Sequence, residues 1–451
     1  MITSVNPYTG EEIFRFLPHS KEETAARIAR ASRAFESWKK VPVAGRCQLM
    51  ERAGELLRDR TSEFARTITL EMGKPIAQAR AEVEKCAWVC DYYARQAPEQ
   101  LKPEPFESDA ASSFVRYDPL GVILGVMPWN YPFWQVFRFA APTLCAGNAA
   151  LLKHASNVWQ CGDLIEEVFR EAGFPDGAFL HLKIGSKEVP AVIDHPAVRA
   201  VSLTGSKPAG SAVASRAGNT IKKSVLELGG SNALVVFEDA NLDASLETCI
   251  QARFQNTGQS CIAGKRLLLH KEIATEFSRR LCERVAGLST GDPMQEDTFI
   301  AVLAREDLAE DLERQMNASV QAGARIATGG KRRGTFFEPT VLLDVTPGMP
   351  AFDQETFGPM LAVSRFGSEQ EAVELVNNSQ FGLGVSLFTS NTERAQRMIP
   401  LLNEGAVFIN ELVKSDPRLP FGGVKNSGYG RELSREGIRE FVNKKTVYFS
   451  S

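Results

Sequence analysis

The sequence predicts an α/β protein built on doubly wound parallel sheets, and three observations point there. Short apolar runs closed by glycine or proline recur from residue 115 onward: VILGVM (122–127), AALLK (149–153), VRAVSLTG (198–205) and ALVVF (233–237). Runs that stay apolar at consecutive positions suit strands buried on both faces. Helical patterns stand between them, including Cys161 to Ala172 with Gly173 as its stop, and the order strand, helix, strand implies parallel pairing through crossover helices. After Glu227 the texture repeats. There SLETCIQARFQ, EIATEFSRRLCERVAG and EAVELVNNS read as helices, and LLLH, VLLDV, MLAVSRF and SLFTS as strands, so two such lobes are expected.

Ahead of the first sheet the chain reads as helical. Ser20 followed by Glu23 forms a capping-box pattern, after which Ile28, Ala31, Phe35 and Trp38 recur at helical spacing. Two more helical stretches, 44–60 and 62–96, are separated or bent near MGKP, where Gly73 and Pro75 interrupt the pattern. No repeat, low-complexity tract or flexible linker divides the lobes, so they should pack tightly.

With 451 residues, 43% hydrophobic and 24% charged, the chain can bury large cores in two or three domains. A formal net charge of -3 gives no broad cationic field for nucleic acid or an anionic membrane. The first residues, MITSVNPYTGEEIF, lack the layout of a signal peptide, and no apolar run nears the roughly 18 residues of a membrane span. A soluble cytoplasmic protein is the expectation. Its cysteines, at 47, 86, 90, 145, 161, 249, 261 and 282, are sparse, show no metal-type pairing and read as reduced thiols. Cys86 and Cys90, four apart, share a helix face and read as core residues.

One cysteine stands apart. Cys261 lies in FQNTGQSCIAGKR (254–266), among small and polar residues with Gly258 and Gly264 on either side. Glycines let the backbone approach closely enough to aim N–H groups, and such groups or a nearby cation expose the nucleophilic thiolate. Asn130, in PWNYP, follows the VILGVM strand and falls at a strand's carboxyl end, where open α/β sheets bind ligands and an amide could donate to an oxyanion. Glu227, in LELGGSNA, sits against a Gly-Gly pair before another strand, where a carboxylate could act as a base. Taken singly, each has a plainer reading: a small core residue, a turn residue and a solvated loop charge.

Together, PWN, LLKHA, VSLTGS, LELGGSN, NTGQSC, ETFGPM, FGLGVSLFT and PFGGVKNSGYGRE occur in the order of the aldehyde dehydrogenase superfamily, which the chain resembles along nearly its whole length. The resemblance implies two doubly wound Rossmann-type α/β domains plus a small β oligomerisation element. Residues 1–103 and 119–228 would form the dinucleotide-binding domain, 229–430 the catalytic domain, and 104–118 with 431–451 the oligomerisation element of a homodimer or dimer of dimers. An edge strand of that kind is hazardous unless paired, so docking on a second subunit is physically sensible.

By the same resemblance Cys261 attacks the aldehyde carbon, and the Asn130 amide and the Cys261 backbone N–H hold the resulting oxyanion. The adduct collapses to a thioester, and Glu227 activates the water that hydrolyses it. Coenzyme-A-acylating relatives generally lack a glutamate there, so a free acid is the expected product. Gly205 and Ser206 of TGSKPAG would meet the pyrophosphate at a helix N-terminus. Lys153 would contact the adenosine ribose, Glu355 and Phe357 the nicotinamide side, and Trp129 and Leu228 would border the same dinucleotide. NAD-specific members commonly carry glutamate three residues after that lysine. Here Ser156 stands there, which favours NADP with NAD tolerated.

LLKHASN and KSDPRLPFGG look most like the short bacterial succinate-semialdehyde dehydrogenases. Arg138, eight residues after Asn130, matches a carboxylate-binding arginine, the plainer reading being an arginine on that helix paired with a structural acid. The family's second arginine is replaced by Gln255. Ser415, Lys414 or Arg418 would supply the missing contact, and Trp134, Phe137 and Phe421 are aromatics expected around the tunnel. Rival readings are a broader dehydrogenase of aliphatic, ω-carboxy or amino aldehydes, a non-catalytic protein on the same fold, and a cysteine hydrolase. The last would need a histidine beside Cys261, and those at 19, 154, 181, 195 and 270 show no matching signature.

Overall fold

The computed structural model describes residues 1–450. A hairpin of β1 (Ile2–Val5) and β2 (Glu12–Phe16) precedes four helices, α1 (Lys21–Trp38), α2 (Val43–Asp59), α3 (Thr61–Met72) and α4 (Ile76–Gln100). The capping box at the start of α1 is formed: Glu23 N donates to Ser20 Oγ at 3.1 Å and Ser20 N to the Glu23 carboxylate at 2.7 Å. Ile28, Ala31 and Trp38 are buried, and Phe35 lies half-buried beside them. The break at MGKP also stands, with left-handed Gly73 closing α3 and Pro75 preceding α4.

After β3 (Glu104–Pro105) and β4 (Ser112–Pro119) the first sheet begins. It runs through β5 (Val122–Met127), α5 (Trp134–Cys145), β6 (Ala149–His154), α6 (Trp159–Glu171), β7 (Phe179–His181), α7 (Val189–Asp194), β8 (Val198–Thr204), α8 (Lys207–Asn219) and β9 (Lys223–Glu227). The spatial order is β9-β8-β5-β6-β7, all parallel. The chain winds from β5 to β6 on one side and returns to β8 on the other. The crevice at the carboxyl ends of β5 and β8 is therefore the switch point where such sheets take ligands.

The second sheet comprises β10 (Asn232–Val236), α9 (Leu242–Phe254), β11 (Gly264–His270), α10 (Ala274–Ala286), α11 (Glu306–Gln321), β12 (Arg325–Thr328), β13 (Thr340–Leu343), β14 (Met360–Phe366), α12 (Glu369–Asn377), β15 (Val385–Phe388) and β16 (Val407–Ile409). Its order is β12-β13-β14-β11-β10-β15-β16, antiparallel only at β12. The inner strands of both sheets bury nearly every residue, which is why they read as unbroken apolar runs.

Two later strands return to earlier parts of the chain. β17 (Gly428–Tyr429) returns to pair antiparallel with β9, and Gly428 has φ +111°, where a Cβ would collide with the Leu226 carbonyl. This return draws residues 421–432 beneath the carboxyl end of β9. β18 (Val442–Phe449) then pairs with β4, and β3 flanks β4 on its other side, making a separate three-stranded sheet. Residues 434–438, a short helix, pack on α4 and α5, with Tyr93 Oη donating to Ser434 O at 3.1 Å. No helix is long and apolar enough to cross a membrane.

Candidate active site

Cys261 lies where the N-terminal edge of the second sheet faces the carboxyl edge of the first, and it lines two cavities. The loop that delivers it is strained. Asn256, Thr257 and Gly258 have φ of 54°, 53° and 71°, left-handed values that non-glycine residues avoid, and a Cβ on Gly258 would collide with the Gly358 carbonyl. Surrounding groups hold this geometry. Asn256 Nδ2 donates to Asn130 O at 2.8 Å and to Gln259 O at 3.0 Å, and Asn256 N donates to Gln78 Oε1 at 2.5 Å. Ala301 N donates to Thr257 Oγ1 at 3.1 Å and Ala304 N to Gln259 Oε1 at 2.9 Å. Each letter of NTGQ thus fixes the turn before Cys261.

Asn130 follows β5 and is buried, its Nδ2 donating to Gln259 O at 3.1 Å. Among the described residues, the Cys261 N–H finds no acceptor, which leaves it available to an incoming oxyanion. Lys265, fully buried, donates to Cys261 O at 2.8 Å, Ser260 O at 3.0 Å and Glu355 Oε1 at 3.2 Å. Burial lifts the Cys261 pKa above its ordinary value; Arg138 and Lys265 oppose this, while Glu355 and Glu227 add to it. The resting sulfur is therefore a thiol.

Glu227 is the last residue of β9 and only 2% exposed, not a solvated loop charge. Its carboxyl lies against Gly422, lines neither cavity, and has no hydrogen-bond partner among the described residues. Burial and the neighbouring Glu432 carboxyl push its pKa well above the carboxylate range, against the pull of Arg138 and Arg431. Arg138 itself forms an ion pair with Glu432, and its Nη2 donates to Thr204 Oγ1 at 3.2 Å. It stacks over Phe421, 4.7 Å from the ring centroid, and still lines one cavity.

The larger cavity, about 480 Å³, occupies the switch-point crevice. Trp129, Asn130, Gly205, Ser206, Leu228, Cys261, Glu355 and Phe357 are on its walls, and Trp129 meets Phe357 edge-on at 5.7 Å. Ser206 caps α8 without spending its side chain on the helix, so its hydroxyl stays free on the cavity wall at that helix's N-terminal end. Lys153, partly buried at the end of β6, and exposed Ser156 stand farther along the same sheet edge. Burial lowers the Lys153 pKa, which Glu188 opposes.

The smaller cavity, about 290 Å³, holds Trp134, Arg138, Gln255, Ser415 and Phe421 beside Cys261. Phe137 is a correction: it packs between Phe133 and Phe169 in the core, at 6.3 and 5.2 Å between centroids, and lies outside the cavity. Arg418 pairs with Asp416 and also lies outside, whereas Lys414 reaches the wall while pairing with Glu411 at 2.8 Å. Glu82, itself paired with buried Lys74, accepts from Phe133 N at 2.9 Å and Trp134 N at 3.0 Å, so it caps α5 and aims that helix at the cavity.

Sequence reasoning missed Lys85. With Gln78, Ala81 and Glu82 it forms the stripe of α4 that lines the cavity, and the signal was there in the polar Gln78, Glu82 and Lys85 recurring at helical spacing. None of the five histidines lines either cavity; His154 is buried, its ring nitrogens 3.2 Å from Met127 O and 2.9 Å from Pro132 O. A thiol–imidazole hydrolase site is thereby excluded.

The aldehyde dehydrogenase family pattern matches residues 1–447. A probable succinate-semialdehyde dehydrogenase (NADP+) of Synechocystis is 49% identical over 452 residues, covering 100% of each chain. Succinate-semialdehyde dehydrogenase (NADP+) 1 of Mycobacterium tuberculosis is 45% identical over 455 residues, again with 100% coverage of both. Among solved structures, succinic semialdehyde dehydrogenase from Streptococcus pyogenes in complex with NADP+ superposes with a TM-score of 0.98 at 35% identity, covering 100% of both chains.

Proposed function

Because the chain belongs to the aldehyde dehydrogenase family, whose members oxidise aldehydes to acids, we propose that its reaction is the NADP+-dependent conversion of succinic semialdehyde to succinate. One observation carries this reading. Cys261 stands between a crevice built for a dinucleotide and a small cavity whose walls include the cations Lys85 and Arg138. The free Ser206 hydroxyl at the start of α8 suits a pyrophosphate, Glu355 and Phe357 the nicotinamide side, and Lys153 at the end of β6 with Ser156 just beyond it an adenosine ribose bearing a 2′-phosphate. Relatives named for the same substrate and nucleotide support the choice of both.

In this mechanism Glu227, in its ionised form, takes the Cys261 proton and passes it to solvent, and the sulfur attacks the aldehyde carbon. The Cys261 N–H and the second N–H of Asn130 Nδ2, the one not given to Gln259 O, receive the negative oxygen. The bound nicotinamide nucleotide supplies the hydride acceptor. Glu227 in its ionised form then turns from Gly422 toward the thioester and takes a proton from water, its basicity increased because burial raises its pKa well above the carboxylate range. Lys265 keeps Cys261 and Glu355 in fixed relation through its three hydrogen bonds.

The test is purified enzyme with succinic semialdehyde and butanal against both nucleotides, following absorbance of the reduced cofactor. Higher kcat/KM with NAD+, or no preference for the semialdehyde, would defeat the respective half of the proposal. The three-stranded sheet is read as the contact between copies, since the β18 edge is open and Tyr448 and Phe449 are exposed. Sedimentation should therefore give a dimer or its multiple, and a monomer at micromolar concentration would count against it.

A further inference from the structure

The small cavity places three cations near Cys261, and their partners differ. Arg138 is paired with Glu432, and Lys414 with Glu411. Lys85 enters no ion pair among the described residues. Its ammonium donates to Ser415 Oγ at 3.0 Å and lies 4.2 Å from the centroid of the Trp134 ring. Ser415 Oγ also receives Trp134 Nε1 at 3.1 Å. With two donors already on its oxygen, the Ser415 hydroxyl has its own hydrogen left to give, and Lys85 retains two N–H groups. Ser415 is buried, so these donors face the cavity rather than bulk water.

We propose that Lys85, together with Ser415, binds the carboxylate of the aldehyde substrate and so selects ω-carboxy aldehydes over neutral ones. The inference rests on the succinic semialdehyde reading and deepens it by assigning the charge recognition to α4. Unpaired donors of this kind are costly in a buried cavity unless an anion completes them, and a carboxylate reached by an ammonium and a hydroxyl does so without displacing Glu432 from Arg138. Burial, followed by the nearby Arg138 charge, lowers the Lys85 pKa to about 8, with Cys86, Glu82 and Asp416 opposing. Lys414 completes the set of charged groups on that wall. The free ammonium thus holds its proton at neutral pH and loses it as pH rises through that value, and a bound carboxylate would retain it.

The experiment compares kcat/KM for succinic semialdehyde with kcat/KM for butanal in the wild type, Lys85→Met, Lys85→Arg and Ser415→Ala. Lys85→Met should lower the ratio by about 10- to 100-fold, the range of a lost charge-assisted hydrogen bond. Lys85→Arg should restore most of it, and Ser415→Ala should lower it less than Lys85→Met does. Ionisations common to both substrates cancel in the ratio, so the wild-type value should fall above about pH 8 and that of Lys85→Met should stay flat. Butanal turnover shows that each variant is folded. A high wild-type ratio left unchanged by Lys85→Met would overturn the role of Lys85 alone. A wild-type ratio near one would remove the semialdehyde reading and this inference with it.

Discussion

Asn256→Ala should destabilise the protein by about 3 kcal/mol and cut turnover by about two orders of magnitude. The side chain donates to Asn130 O at 2.8 Å and Gln259 O at 3.0 Å from a backbone at φ 54°. Each bond contributes about 1 kcal/mol net, and alanine in the left-handed region costs roughly 1 kcal/mol more than asparagine. Gln259 O would keep Asn130 Nδ2 as its donor at 3.1 Å, while Asn130 O would be left with none. Asn130 and Cys261 would then lose their fixed relation, and a misplacement of about 1 Å at a reacting centre costs about 100-fold in rate. Asn256→Gly loses the same bonds without the left-handed penalty, so it should regain about 1 kcal/mol of the stability and little of the rate. Urea unfolding followed by tryptophan fluorescence and kcat/KM for succinic semialdehyde read the two effects separately. If Asn256→Ala matched the wild type in both, or Asn256→Gly were the less stable of the pair, the strained-turn explanation would fail.

Ser156→Glu should lower the NADP+ to NAD+ ratio of kcat/KM by about 100-fold or more, because a carboxylate beside a 2′-phosphate adds several kcal/mol of like-charge repulsion; an unchanged ratio would move the phosphate site elsewhere. Glu227→Gln should reduce kcat by about 10²- to 10⁴-fold and leave a thioester on Cys261, visible as a mass increase of the trapped protein. The same variant tests the raised pKa of Glu227. Between the ordinary carboxyl value of 4.5 and the higher folded value, the unfolded chain has lost a proton that the folded one keeps, so wild-type stability falls as pH rises through that window. The advantage of Glu227→Gln in thermal midpoint should therefore grow from pH 5 to pH 8, and a constant difference would contradict the burial assigned to this carboxyl.

The sheets were legible in the chain because parallel strands buried on both faces must be continuously apolar, and VILGVM, AALLK and ALVVF obey that constraint over several residues. The helices at 21–38 and 159–171 were legible through period and caps. The β1–β2 hairpin was not, since its exposed and half-buried residues leave little alternation, and neither was α11, whose charged exposed face dilutes its apolar stripe. The Cys261 loop could be found because glycines and small polar residues are spaced along the chain itself. Its strain could not, for the left-handed turn at 256–258 depends on Gln78, Asn130 and Gly358, all distant in sequence.

Local pattern, then, determined the architecture and the candidate reacting groups: Cys261, Glu227 and Asn130 each lie within a short motif whose residues are neighbours in the chain. Tertiary structure decided what each charge faces. Arg138 meets Glu432 across 294 positions of sequence, Lys85 meets Ser415 across 330, and Glu227 is sealed beneath a segment that returns from beyond residue 420. Coulombic interaction and desolvation depend on distance through space and on exclusion of water, and neither quantity is written in the order of residues.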